Sequence, residues 1–245
     1  MKCILLCAGY ATRLYPLTLN TPKHLLKVGE KAILDYVIEK LPMEHIDQIY
    51  LVTNNKFYQN FVAWRDQLKP KLPIMVLNDQ TMSNEDRLGS MGDVLFVIEQ
   101  TQFDDDFLLI SADNLFNFDL TPMLGPFFEG KNIVALYDVQ TIEEAKKMGI
   151  PTLNSEGVIT HLIEKPENPS STLSSIGIYL FHREVIQLLR QYIEEGHSPD
   201  KVGDFISWLC QKIPLYTHRY DGPNDLWLDI GTPSQLELAK RLFAK

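Results

Sequence analysis

The first 113 residues alternate short apolar runs with amphipathic segments. The run KCILLC predicts a first strand, and the next segment predicts a helix because Ile33, Val37 and Leu41 recur on one face. The alternation continues with strands expected at 48–53, 73–77 and 107–111 and helices at 57–68 and 90–99. Such alternation is typical of right-handed βαβ units. We therefore predict an α/β fold with a Rossmann-like, doubly wound, mostly parallel sheet and helices on both faces.

The second half of the chain carries more strands and fewer helices. The expected strands lie at 132–139, 157–165, 174–183, 214–220 and 225–230, and the expected helices lie near 183–195, 203–211 and 233–244. Fewer intervening helices favour antiparallel pairs, so the sheet should be mixed. No Pro/Gly/Ser-rich linker divides the chain, which predicts one domain, 1–245, with lobes 1–113 and 114–245. No repeat of 20–50 residues is present, so no β-helix tail is expected.

Composition narrows the class of partner. Hydrophobic residues make up 45% and charged residues 22%, as in an ordered globular protein, and the net charge of −9 argues against nucleic acid or an anionic membrane. Three cysteines cannot form a disulfide framework, and no stretch approaches the length of a membrane span. A reducing, cytoplasmic setting is expected. Residues 1–31 nevertheless hold five cations and one anion, a net +4 that leaves −13 for the rest and suggests a local anion site.

The loop after the first strand has the composition of a phosphate-binding turn. Ligands of parallel α/β sheets bind beyond the carboxyl ends of the strands. Small residues at Ala8, Gly9 and Ala11 let backbone N–H groups approach an anion, while Arg13 and Lys23 add positive charge. The P-loop pattern and G-x-G-x-x-G are both missing, which weakens an NAD(P) oxidoreductase interpretation. From spacing alone, a plain strand-to-helix turn explains the loop equally well.

The stretch LLCAGYATRLYPLTLNTPKHLLKVGEKAILDYVIEKL, from Leu5 to Leu41, resembles the opening of the sugar-1-phosphate nucleotidylyltransferases, or nucleoside-diphosphate-sugar pyrophosphorylases. That family opens with a strand, then A-G-x-G-T-R-L-x-P-L-T, then P-K. The positions that match are Ala8, Gly9, Thr12, Arg13, Leu14, Pro16, Leu17, Thr18, Pro22 and Lys23. Ala11 replaces the second glycine of the family, and its methyl group should narrow the allowed backbone conformations.

Four later stretches match the family in the same order along the chain. RLGSMGD carries Gly89, LLISADNLF carries Asp113, HLIEKPENP carries Glu164 and Lys165, and DLWLDIGTP carries Asp229. Taken singly, each has a structural explanation, such as an Asx turn at Asp113 or a solvated loop at Glu-Lys-Pro. Their common order favours the resemblance, which extends over nearly the whole chain.

The resemblance implies a nucleotide-diphospho-sugar transferase fold and a specific reaction. An NTP and a sugar 1-phosphate would give an NDP-sugar and pyrophosphate, with Mg²⁺ held by Asp113 and Asp229. Arg13 would hold the leaving pyrophosphate, Lys23 the α-phosphate and Lys165 the sugar phosphate. Residues implied in nucleotide binding are Ala8, Gly9, Tyr10, Ala11, Thr12, Arg13, Asn78 and Gly89. Residues implied in binding the sugar phosphate are Gly149, Glu164, Lys165, Gly177 and Tyr179.

Other interpretations stay open at this level. The pair Asn78-Asp79 is also reminiscent of cytidylyltransferases that act on phosphocholine or related alcohol phosphates. A non-catalytic protein that binds nucleotide sugars is a second alternative, although all five proposed charged residues are present. Among substrates, dTTP or UTP with glucose 1-phosphate is favoured, as in thymidylyl- and uridylyltransferases. The resemblance also makes a homo-oligomer an option for this chain, because members of the family are often dimers or tetramers.

Overall fold

The structure is a computed structural model that describes residues 1–68 and 72–243. Its strands are β1 (Lys2–Leu6), β2 (Lys27–Val28), β3 (Lys31–Ala32), β4 (Gln48–Thr53), β5 (Ile74–Asn78), β6 (Phe107–Ser111), β7 (Asn114–Phe116), β8 (Asn132–Asp138), β9 (Gly149–Leu153), β10 (Ile159–Glu164), β11 (Leu173–Phe181), β12 (Leu215–Tyr220) and β13 (Trp227–Asp229). Its α-helices are α1 (Ile33–Glu39), α2 (Tyr58–Leu68), α3 (Ser90–Thr101), α4 (Leu124–Phe128), α5 (Ile142–Ala145), α6 (Glu184–Glu194), α7 (Val202–Leu209) and α8 (Pro233–Phe243). Short 3₁₀ turns occur at Thr12–Leu14, Lys23–Leu25, Met43–His45 and Thr121–Met123.

Internal contacts divide the chain into two compact units that are interleaved in sequence. The first unit contains Met1–Leu88, Ile110–Leu120 and Asp225–Lys245, and the second contains Gly89–Leu109 and Thr121–Asn224. The predicted single domain with lobes 1–113 and 114–245 stays a prediction. Interleaving means that the first unit takes its residues from three separate parts of the chain.

The first unit is built around a parallel sheet. Strand β1 pairs with β4 and β4 pairs with β5, both in parallel, with Ile4 opposite Tyr50 and Leu51 opposite Val76. The residues of β1 after Lys2 are buried, as expected of a central strand covered on both faces. The unit also contains the β2–β3 hairpin and an antiparallel pair of strands distant in sequence, β7 and β13. Beside them, a smaller core is formed by Val28, Ile33, Leu115, Ile230, Leu236 and Ala239.

The second unit has a mixed sheet. Strand β8 pairs antiparallel with β11 and parallel with β12, while β9 pairs antiparallel with β10 and contacts β11 through one residue pair. Helices α6 and α7 bury their apolar faces through Val185, Leu189, Tyr192, Phe205 and Leu209. The antiparallel strands expected in the second half of the chain are therefore confirmed.

Sequence patterns located the long elements and missed the short ones. Strands β2, β3 and β7 and helices α4 and α5 have five residues or fewer, too few to show a period. The expected closing helix ends at Phe243, and its predicted last residue, Ala244, lies outside the described residues. Within the described part of the chain, no helix is both long enough and apolar enough to cross a membrane.

Candidate active site

The loop that follows β1 is held in place by a buried side-chain amide. Asn54, at the end of β4, is fully buried and donates from Nδ2 to the carbonyl oxygen of Ala8 at 2.7 Å. The next residue, Gly9, is exposed, and a Cβ built on it would meet no heavy atom within 4 Å. No neighbouring atom therefore blocks access to the backbone at Gly9, and the predicted phosphate contact there stays a prediction.

Tyr10 contributes an anchor to this loop. Its side chain is buried, and its hydroxyl lies 3.1 Å from Oγ1 of Thr81. Thr81 in turn donates from its backbone nitrogen and its hydroxyl to Oδ1 of Asp79, at 2.7 and 2.8 Å. Any contact that Tyr10 makes with a nucleotide must therefore come from its backbone.

Ala11 occupies the left-handed region of backbone space, with φ 49° and ψ 44°. Its carbonyl oxygen accepts hydrogen bonds from the backbone nitrogen of Leu14 at 3.0 Å and from the hydroxyl of Thr18 at 2.8 Å. Glycine reaches this conformation at little steric cost, which gives a physical reason for the glycine that the family carries here. The two hydrogen bonds hold alanine in the same conformation.

Arg13 extends from the following 3₁₀ turn toward the segment after β13. Leu14 is the buried residue of this turn, whereas Arg13 is exposed. A Cβ built on Gly231 would lie 3.3 Å from Nη2 of Arg13 and 3.4 Å from Oδ2 of Asp229. The missing side chain at Gly231 thus leaves space beside both the guanidinium and the carboxylate.

Lys23 and Asp113 form a partly buried ion pair in the first unit. Lys23 begins a 3₁₀ turn after Pro22, and its Nζ donates to Oδ2 of Asp113 at 2.7 Å. The side chain of Lys23 is 9% exposed and that of Asp113 is 36% exposed. Burial alone would raise the pKa of Asp113, but the charge and hydrogen bond of Lys23 bring the pKa below its ordinary value. Asp113 is therefore an anion at neutral pH.

The antiparallel pairing of β7 with β13 places the two predicted metal-binding aspartates on adjoining backbone positions. Asp229 is the register partner of Asn114, and Ile230 donates its backbone N–H to the carbonyl oxygen of Asp113 at 3.4 Å. In residues 1–68 and 72–243, no group of three or more His, Cys, Asp or Glu side chains forms a metal cluster. Mg²⁺ usually takes one or two carboxylates and completes its shell with water and substrate phosphates, so this donor set fits it.

Asn78 shapes the segment that follows β5. Its Nδ2 donates to Oδ1 of Asn55 at 2.8 Å, and its Oδ1 accepts from the backbone nitrogen of Gln80 at 2.9 Å. The second contact is an Asx turn, and Gln80 has a positive φ of 69°. The predicted contact between Asn78 and the base stays a prediction.

In the second unit, the Glu-Lys-Pro motif ends β10. Glu164 pairs with Gly149 across the β9–β10 ladder, and its side chain is 16% exposed. Lys165 has a positive φ of 51°, and its backbone nitrogen donates to the carbonyl of Met148 at 2.9 Å. A non-glycine residue in this conformation is typical of functional sites. The Lys165 side chain is 55% exposed, and its Nζ lies 3.9 Å from Oε1 of Glu164.

The remaining predicted residues of the second unit differ in exposure. Gly177 has φ 74° at an irregularity in the β8–β11 pairing, where a side chain would be strained. Tyr179 is buried, and its hydroxyl lies 3.2 Å from Oγ of Ser175. Gly89 has φ 81° and directly precedes α3. The structure thus gives Gly177 and Gly89 a backbone reason for glycine, while a sugar contact of Tyr179 stays a prediction.

The structure groups the predicted residues by unit. Those of the first unit are Ala8–Arg13, Lys23, Asn78, Asp113 and Asp229. Those of the second unit are Gly89, Gly149, Glu164, Lys165, Gly177 and Tyr179. Sequence reasoning did not assign a role to Asn54, Gly231 or Gly203. Only Gly231 had a sequence signal, because it belongs to the matched stretch DLWLDIGTP.

Comparison with known proteins decides the family. A model of the family described as "Nucleotidyl transferase" matches residues 2–245. The chain belongs to the nucleotidyl transferase family. A curated relative, the bifunctional protein GlmU of Methanocaldococcus jannaschii, is 30% identical over 246 residues, which cover 100% of this chain and 55% of that protein. A protein of Sulfolobus acidocaldarius, provisionally named a mannose-1-phosphate guanyltransferase, is 29% identical over 95% of this chain and 60% of its own length.

A solved structure agrees with the family fold. A protein of Bacillus anthracis, provisionally named a glucose-1-phosphate thymidylyltransferase and solved with sucrose, superposes with a TM-score of 0.84 at 25% identity. The match covers 100% of this chain and 96% of that one. The predicted α/β fold and the predicted family are therefore confirmed. The chain spans little more than half the length of the two curated relatives, 55% and 60%.

Proposed function

We propose that this family member transfers a nucleotidyl group from an NTP to a sugar 1-phosphate, giving an NDP-sugar and pyrophosphate in a Mg²⁺-dependent reaction. The observation that carries the proposal is the arrangement of the first unit. That unit holds the open backbone at Gly9, the cation of Arg13 beside Asp229, and the Lys23–Asp113 pair. Two relatives whose names include a sugar 1-phosphate support the choice of acceptor.

The chemistry requires two anions to be held in line. A phosphate oxygen of the sugar 1-phosphate attacks the α-phosphorus, the bond from that phosphorus to the pyrophosphate oxygen breaks, and pyrophosphate leaves with the electron pair. The nucleophile is already an anion, so catalysis consists of positioning and charge stabilisation. Mg²⁺ held by Asp113 and Asp229 would neutralise negative charge on the phosphate oxygens.

The chain's own cations divide the remaining work. Arg13 donates to the leaving pyrophosphate, because its guanidinium presents paired N–H groups to phosphate oxygens. Lys23 lies against the α-phosphate, where its ammonium can move from Asp113 to the phosphate oxygens. Lys165 receives the sugar phosphate on an exposed side chain, while Glu164 accepts hydrogen bonds from sugar hydroxyls. Within this class we favour dTTP or UTP and glucose 1-phosphate.

The test is a matrix of substrates. Pyrophosphate release is measured with purified protein and Mg²⁺, with five NTPs crossed against several sugar 1-phosphates and phosphocholine, and with EDTA as a control. Release with a sugar 1-phosphate that is lost in EDTA supports the proposal. Release only with phosphocholine moves the protein to the cytidylyltransferase alternative. No release with any pair, together with measurable nucleotide-sugar binding, supports the non-catalytic alternative.

A further inference from the structure

The carboxylate of Glu164 lies directly over the backbone of two glycines. Gly203 is the second residue of α7, and a Cβ built on it would lie 2.1 Å from Oε2 of Glu164 and 2.9 Å from its Cδ. Gly149, on the paired strand, would place a Cβ 3.2 Å from the same oxygen. An alanine at Gly203 therefore cannot coexist with the observed position of the carboxylate, whereas one at Gly149 requires a shift of only a few tenths of an ångström.

The start of α7 is held by a second close glycine contact. A Cβ on Gly89 would lie 2.6 Å from Cα of Asp200. The backbone nitrogens of Ser90 and Met91 donate to the carbonyls of Asp200 and Pro199 at 3.1 and 2.9 Å. The segment that leads into Gly203 is thus hydrogen-bonded to the first turn of α3, which limits how far α7 can move to accommodate a methyl group.

The surroundings of Glu164 suit a carboxylate that awaits hydrogen-bond donors. Burial raises its pKa, while the charges of Lys165 and Lys201 lower it and that of Asp204 raises it again. A carboxylate that has lost water without gaining equal compensation binds hydroxyl donors strongly, because each new hydrogen bond replaces a lost one. A sugar carries several such hydroxyls at fixed spacing.

We propose that Gly203 is a positioning residue for the acceptor: its missing side chain lets the Glu164 carboxylate occupy the place from which it binds sugar hydroxyls. This inference rests on the proposed function. It assigns to α7 a role in selecting the acceptor, since any side chain at Gly203 would displace the carboxylate toward solvent.

The test compares Gly203→Ala with Gly125→Ala. Gly125 lies in α4 of the same unit, and a Cβ there would meet nothing within 4 Å, so this variant controls for replacing a helical glycine. In Gly203→Ala we expect the KM for sugar 1-phosphate to rise about tenfold, the effect of one lost charged hydrogen bond, with the KM for NTP unchanged. Gly125→Ala should leave both KM values at wild-type levels.

A double-mutant cycle separates positioning from simple disruption. In a Glu164→Ala background the clash is absent, so Gly203→Ala should add less than about a twofold change, the limit of independent effects. The inference is overturned if Gly203→Ala raises the KM for NTP as much as the KM for sugar 1-phosphate. It is also overturned if Gly203→Ala raises the KM for sugar 1-phosphate by the same factor in the Glu164→Ala background as in the wild type. Should Gly203→Ala fail to fold, Gly149→Ala serves instead, with a smaller rise in the KM for sugar 1-phosphate alone.

Titration of the Glu164 carboxyl by NMR tests the inference independently of turnover. The wild-type pKa should lie above the ordinary glutamate value and should return toward it in Gly203→Ala, because the carboxylate would move to solvent. A pKa that stays raised in this variant refutes the displacement, even in an enzyme that is fully active. Conversely, a wild-type protein that turns over no sugar 1-phosphate refutes the proposed function and leaves the displacement measurable.

Discussion

At the scale of single residues, the molecule uses backbone conformations and buried charges that local propensity disfavours. Ala11 and Lys165 have positive φ values of 49° and 51°, and Lys23 buries its ammonium against Asp113. Such features persist only where their surroundings hold them, and here they coincide with the matched motifs. The charged groups of these motifs were identifiable from the sequence, whereas their conformations were not.

Replacing Ala11 by glycine should be tolerated. Glycine removes a left-handed strain of about 1–2 kcal/mol but loses about 0.5–1 kcal/mol through backbone entropy, so stability in urea should be unchanged or slightly higher. Ala11→Val should be clearly less stable, because a β-branched residue fits this region poorly. Urea unfolding of both variants checks this, and a glycine variant less stable than the valine variant would contradict it.

Loss of Arg13 should affect catalysis more than folding. The guanidinium is exposed, so Arg13→Ala should unfold at nearly the wild-type temperature. Turnover should fall by about 10²-fold or more, the scale of a lost donor to developing charge. Steady-state kinetics measures this, with Arg65→Ala as a control, since Arg65 lies on α2 and pairs with its neighbour Asp66. Near-normal turnover of Arg13→Ala would remove Arg13 from the mechanism.

Glu164→Gln should stabilise the protein at neutral pH. The folded-state pKa of Glu164 is raised by burial, so the ionised group disfavours folding at every pH above that pKa. This cost disappears as the pH falls through the folded pKa toward the ordinary value. The advantage of the glutamine variant in melting temperature should therefore be larger at pH 7 than at pH 4.5, the ordinary glutamate pKa. Glu167→Gln, at an exposed position, is the control. If the gain in melting temperature of Glu164→Gln over the wild type grew as the pH fell, the predicted pH dependence would be contradicted.

At the scale of elements, the candidate site depends on joints between strand ends and helix starts. Asn54 provides one such joint, because its amide bonds to the carbonyl of Ala8 and its carbonyl oxygen accepts from the backbone nitrogen of Phe57 at 3.0 Å. The end of β4, the loop after β1 and the approach to α2 are thereby fixed together. Hydrophobic periodicity predicted β1, β4 and α2, but it contains no information on the hydrogen bonds of Asn54 that connect them.

Asn54→Ala should loosen this joint. A buried carbonyl and a buried N–H each lose a partner, which should lower the free energy of unfolding by about 1–3 kcal/mol. The KM for NTP should rise because Ala8 and Gly9 lose their support. Asn60→Ala is the matched control, since its amide makes a more exposed hydrogen bond to Asn20, at 3.2 Å. Equal effects of the two substitutions on stability and KM would contradict this role.

At the scale of the whole molecule, an acidic protein concentrates cations on one short segment. The net charge is −9, yet residues 1–31 hold five of the cations, among them Arg13 and Lys23. This distribution disfavours non-specific binding of polyanions while it leaves a local site for a small phosphate ligand. All but the first residue of this segment lies within the match of the family model, which covers residues 2–245.

Binding of a nucleotide with Mg²⁺ should raise the melting temperature. A ligand at 100 times its Kd stabilises the folded state by about 2.7 kcal/mol. We expect the shift with the preferred NTP, and we expect EDTA to reduce it, because Asp113 and Asp229 would otherwise face the triphosphate without Mg²⁺ to offset their repulsion. Differential scanning fluorimetry measures this across the five NTPs. An equal shift with and without Mg²⁺ would argue against metal-assisted binding.

The sequence by itself determined the fold class, the long helices and strands, and the family, because these depend on periodicity and on motifs of adjacent residues. It also indicated which charged side chains belong to the candidate site. Only the tertiary structure decided how Arg13 reaches Gly231, that Asn54 supports Ala8, and that Gly203 makes room for Glu164. These contacts join positions 39 to 218 residues apart, and no local pattern records which distant backbone a side chain will meet. Such contacts are determined by tertiary packing, because whether a backbone position has room for a methyl group depends on the elements that pack against it.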